Sequence, residues 1–71
     1  MSEHPNALLT RSTGGITVDA LYLPSVDLTG IAVRTSEAEF FVSTEKSDLL
    51  DAFNHPALYL GPVRCEKLGI R

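Results

Sequence analysis

Two histidines, His4 and His55, are the only side chains of this 71-residue sequence with an ordinary proton affinity near neutral pH. General acid–base chemistry would need one of them beside a nucleophile or an orienting carboxylate. His4 stands in a polar opening, and His55 stands between Asn54 and Pro56, where a helix is expected to end. A cation there is favoured by the helix dipole, so His55 reads as a helix-end residue rather than a base. No serine sits in a nucleophile-elbow pattern. Cys65 lies between Arg64, which would promote its thiolate, and Glu66, which would oppose it. A small packing role suits it better. The carboxylates Asp19, Asp27, Glu37, Glu39, Asp48 and Asp51 lack the spacing of a metal site and are expected in solvent. Gly14-Gly15 has neither the lysine nor the following helix of a phosphate loop and reads as a turn. The sequence therefore offers no catalytic, cofactor or metal residues, and a non-enzymatic role is expected.

The elements around these residues are more legible. Residues 30–43 fold back on themselves about Ser36-Glu37. Arg34 then falls opposite Glu39, Val33 opposite Phe40 and Ile31 opposite Val42. One side of this hairpin is apolar and the other carries a charge pair, which fixes a register and a core. Residues 16–23 alternate as a strand, with Thr17 and Asp19 on a wet side and apolar residues on both sides of its second half. Residues 7–11 fit a strand or a helical turn equally. Ser43 or Thr44 is expected to cap a helix of about three turns carrying Leu49, Leu50 and Phe53 on its apolar stripe. Residues 57–60 form a last apolar run, which 63–65 could resume, and 66–71 read as a short tail. The fold class expected is α+β: a small antiparallel sheet of three to five strands, a meander or partly closed barrel, with one short packed helix.

At this length the chain is read as a single domain, residues 1–71, with a loose start over 1–6. A hydrophobic content of 44% argues against disorder and leaves apolar surface for a partner. The net charge of −3 and six scattered Lys and Arg exclude a basic stripe, so direct nucleic-acid binding is not expected. One cysteine precludes an internal disulfide and fits a reducing compartment. No signal segment or apolar run of membrane-spanning length is visible, so a cytoplasmic protein is expected. Phe41 alternates with Phe40 and so points to the nominally wet side, beside Ala32 and near Arg34. With Leu21 and Leu23 it makes the candidate partner-binding set: Leu21, Leu23, Arg34 and Phe41.

Read in order, the segments 12–20, 23–24, 30–36 and 41–43 before a helix resemble the small actinobacterial BldB-like domain family of unknown function. The likeness spans about residues 11–53 and is best in Gly30-Ile31-Ala32-Val33-Arg34-Thr35-Ser36. The chain departs from that pattern in lacking tryptophan, in Thr17 and Thr35, and in its shorter hairpin loop. Asp19 and Arg34 match the motif's charged positions. The resemblance implies a protein that self-associates as a homodimer and binds an Xre-type helix-turn-helix regulator, in an antitoxin-like or regulatory role. Other readings are a phage-encoded or accessory protein that inhibits a host protein, a small enzyme or ligand carrier, and a structural subunit.

Overall fold

The structure is a computed structural model that describes residues 7–69. The expectations for residues 1–6, including His4, and for the last two positions of the tail lie outside the described residues. Four strands, β1 (Ala7–Thr13), β2 (Ile16–Leu23), β3 (Leu28–Arg34) and β4 (Glu39–Ser43), form an antiparallel sheet in the order β1-β2-β3-β4. Three helices follow: α1 (Leu49–Asn54), α2 (Pro56–Leu60) and α3 (Pro62–Leu68). The chain is thus a small α+β fold built on an open meander.

Each turn has a local cause. Gly14 and Gly15 both take positive φ, 61° and 81°, which a two-residue turn between Thr13 and Ile16 requires and which other residues avoid. Pro24–Val26 makes one 3-10 turn, and Asp27 reverses the chain in the left-handed region with its amide donating to Pro24 O at 3.2 Å. Around Ser36-Glu37, Thr35 N–H donates to Ala38 O at 2.8 Å, while Thr35 Oγ1 accepts from the amides of Glu37 and Ala38. This threonine supplies the acceptor that lets the turn form without glycine. The pairs Arg34–Glu39, Val33–Phe40 and Ile31–Val42 all stand in register. Residues 7–11, open between strand and helix from sequence, are strand, paired to β2 with a bulge near Leu8.

Val18, Ala20, Ile31 and Val33 project from one face of β2 and β3 and bury Ala52, Phe53, Leu60 and Leu68 of the helices. Burying a side chain of the Ile or Phe class contributes about 1.5–3 kcal/mol, and this layer is what holds the helices, each far too short to persist alone. Arg11 ties β1 to α1. Its guanidinium donates to the Phe53 carbonyl at 2.7 Å and lies 5.0 Å from that ring's centre. A donor on a terminal helix carbonyl and a cation over the ring act together there.

Several expectations are corrected here. There are three short helices and not one. Pro56 and Pro62 end one helix and also open the next, since proline at a first helical position loses no hydrogen bond. Ser43 and Thr44 do not cap a helix. Ser43 belongs to β4, Thr44 N–H donates to Thr29 O at 2.9 Å, and a 3-10 turn over Lys46–Asp48 leads into α1. Leu50 is 61% exposed and lies outside the core, whereas Ala52 is buried. Glu66, Lys67 and Leu68 are helical rather than tail, and Leu68 enters the core.

Candidate functional site

The helical core lies wholly on the Val18 and Val33 side of the sheet. The register puts a different set on the other face, in four rows across the strands. Ser12, Thr17, Arg34 and Glu39 form the first row. Thr10, Asp19, Ala32 and Phe41 form the second, Ala7, Leu21, Gly30 and Ser43 the third, and Leu23 with Leu28 the fourth. One end of the face is polar and the other apolar, with Phe41 at the border and 39% exposed.

All four candidate partner residues, Leu21, Leu23, Arg34 and Phe41, fall on this face. They are not equally available. Leu21 is already buried, Leu23 and Arg34 are half-buried, and Phe41 is exposed. Leu21 is therefore a floor of the surface and not an anchor. Phe41 supplies the wall. Its Cζ lies 2.7 Å from where a side chain on Gly30 would begin, and the Val42 carbonyl crowds the same point. Glycine at position 30 thus lets β4 and the aromatic ring close over β3. A glycine inside a strand pattern signals such a close approach, and this residue could have been singled out from sequence on that ground.

Asp19 corrects the expectation of a solvated carboxylate. It is fully buried on the open face, and Oδ1 accepts from Thr10 Oγ1 at 2.6 Å. Arg34 and Glu39, like Asp19, are engaged by neighbouring groups. Beside them Ser12 Oγ and Thr17 Oγ1 are 3.2 Å apart. A buried carboxylate is retained at a cost of desolvation unless hydrogen bonds meet it, so this row is a fixed polar patch rather than a loose surface.

His55 is exposed at the end of α1, its amide on Asp51 O at 2.8 Å. Cys65 is half-buried on α3, its thiol 3.6 Å from Ala57 O. Asp51 Oδ2 accepts from the Tyr59 hydroxyl at 2.6 Å, and this bond pushes the Tyr59 pKa up to about 12. A shallow cleft of about 480 Å³ opens where the Gly14-Gly15 and Ser36-Glu37 turns meet the end of α3. Glu37, Glu66 and Lys67 line it, but neither His55 nor Cys65 does. Among the described residues no group of three or more His, Cys, Asp or Glu is placed to hold a metal ion. None of the described helices is long and apolar enough to cross a membrane.

Compared with models of protein families, with curated proteins and with solved structures, the chain matches none.

Proposed function

We propose that the chain is a non-enzymatic, cytoplasmic protein-interaction module that self-associates and that binds and modulates a helix-turn-helix transcription regulator. The observation that carries this reading is the sheet face outside the helical core, which carries exposed Phe41 in one row with Asp19, Arg34 in the next row, and half-buried Leu23 at its apolar end. An aromatic anchor bordered by ordered polar groups is the arrangement on which interface affinity concentrates. The regulator as partner rests on the BldB-like resemblance. The net charge of −3 is suited to a basic, DNA-binding surface, and occupying that surface would alter repression sterically.

A ligand carrier or small enzyme is supported less well. The cleft named above is lined by neither His55 nor Cys65, so neither group is placed to act on a ligand held there. Co-expression of the chain with the helix-turn-helix regulator encoded nearest to its gene tests the reading. A complex that survives size-exclusion chromatography and is lost on Phe41→Ser is the expected result. Separate elution of the two native proteins contradicts it.

A further inference from the structure

The two edges of the sheet differ. The β1 edge carries a register shift between Ala7 and Leu9 and an arginine turned to the helices. Bulges and charges of this kind blunt an edge against further strand pairing. The β4 edge carries one charge, Glu39 at its start, and no bulge. Its five residues pair with β3 without a shift, and it holds no proline or lysine.

The hydrogen bonds already made define which groups of β4 point outward. Thr35 N–H reaches Ala38 O, and Thr44 N–H reaches Thr29 O. In an antiparallel ladder such pairs alternate, so Phe40 and Val42 bond inward to β3. The amides and carbonyls of Glu39, Phe41 and Ser43 face the outer edge of β4, beyond which no strand lies among the described residues.

We infer that β4 pairs antiparallel with β4 of a second copy about a two-fold axis at Phe41, making one continuous eight-stranded sheet across the two chains. This deepens the self-association in the function proposed above. About that axis Phe41 meets Phe41, and Glu39 meets Ser43 of the second copy. This register sets the outward amides and carbonyls of β4 against those of the second strand, which no register shifted by one residue achieves within the strand. Glu39 faces a neutral serine rather than its own charge. The next pair in this register, Glu37 against Glu45, opposes like charges, and the Glu37 amide is already given to Thr35 Oγ1, so the ladder ends there. The interface is isologous and closed, so it yields a dimer and not a fibre. It also joins the two Phe41 faces into one surface.

Cysteine pairing tests the register. In a Cys65→Ser background, Glu39→Cys and Ser43→Cys are prepared separately, then mixed and oxidised. Residues 39 and 43 of different copies would stand about 5.5 Å apart between Cα atoms, within disulfide reach. The mixture is expected to cross-link about tenfold more than either variant alone, because like positions are four residues apart along the strand. Equal cross-linking in all three samples overturns the proposal. Ser43→Pro removes one outward amide per chain and leaves the β3 ladder intact. It is expected to weaken the dimer of the otherwise native chain by about tenfold or more while circular dichroism stays native. An unchanged dimer in that folded variant, or a native chain that stays monomeric, also overturns it. A monomer that still binds the regulator removes the self-association and leaves the regulator-binding part of the proposed function, whereas a β4-paired dimer that binds no regulator leaves only this inference.

Discussion

Thr10 on the edge strand β1 donates its hydroxyl at 2.6 Å to Asp19, a carboxylate fully buried on the face of the sheet that carries no helical core. The bond links an exposed strand to the centre of the sheet. Thr10→Val removes the donor at almost constant volume and leaves a buried oxygen with one partner fewer. A loss of about 1–3 kcal/mol is expected. Urea denaturation measures it, and a midpoint within error of the native one would show that the bond contributes nothing.

Gly30 and Phe41 form the second tight relationship of that face. Gly30→Ala would drive a methyl group against the Val42 carbonyl and the Phe41 ring, and the carbonyl belongs to backbone that cannot turn aside. Overpacking of this kind costs about 1–3 kcal/mol. The same substitution at Gly14 meets no neighbour, and its cost of about 1 kcal/mol comes only from the positive φ. Thermal melts of the two variants side by side are expected to rank Gly30→Ala as the less stable. Equal melting temperatures would remove the close-approach role assigned to Gly30.

The Tyr59 hydroxyl predicts a pH dependence. Its ordinary pKa of 10.0 rises to about 12 in the folded chain through the hydrogen bond to Asp51, with burial and the charges of Asp51 and Asp48 adding to it. The protonated form is the one folding favours. Its contribution to stability is therefore complete below pH 10.0 and is lost as pH climbs toward about 12. Spectrophotometric titration is expected to show one late tyrosine, absent in Tyr59→Phe. A late step that persists in Tyr59→Phe, or no late step in the native chain, would contradict the bond.

The hairpin about Ser36-Glu37 and the strand over Ile16–Leu23 were legible because cross-strand pairs and alternation are local. Asp19 was misread for a physical reason. Alternation tells which side of a strand a residue takes, but Thr10, Ala32 and Phe41, which decide whether that side is wet, come from other strands. Pro56 was read as a stop because proline breaks a helix, although it starts one equally well, as Pro56 and Pro62 both do here. The shared face of Leu21, Leu23, Arg34 and Phe41 followed from the strand register. The burial of Leu21 was not legible, because Gly30 opposite it and the Phe41 ring that closes over Gly30 come from other strands.

Phe41 carries the central claim, that the open face and its β4 edge are made for contact with other chains. Sedimentation equilibrium of the full chain, native and Phe41→Ser, tests it most directly. The native chain is expected to be a dimer at micromolar concentration, and the variant, still folded, is expected to dimerise at least about tenfold more weakly. A native chain that remains a monomer throughout, or a variant whose dimer is as tight as the native one, would contradict the account.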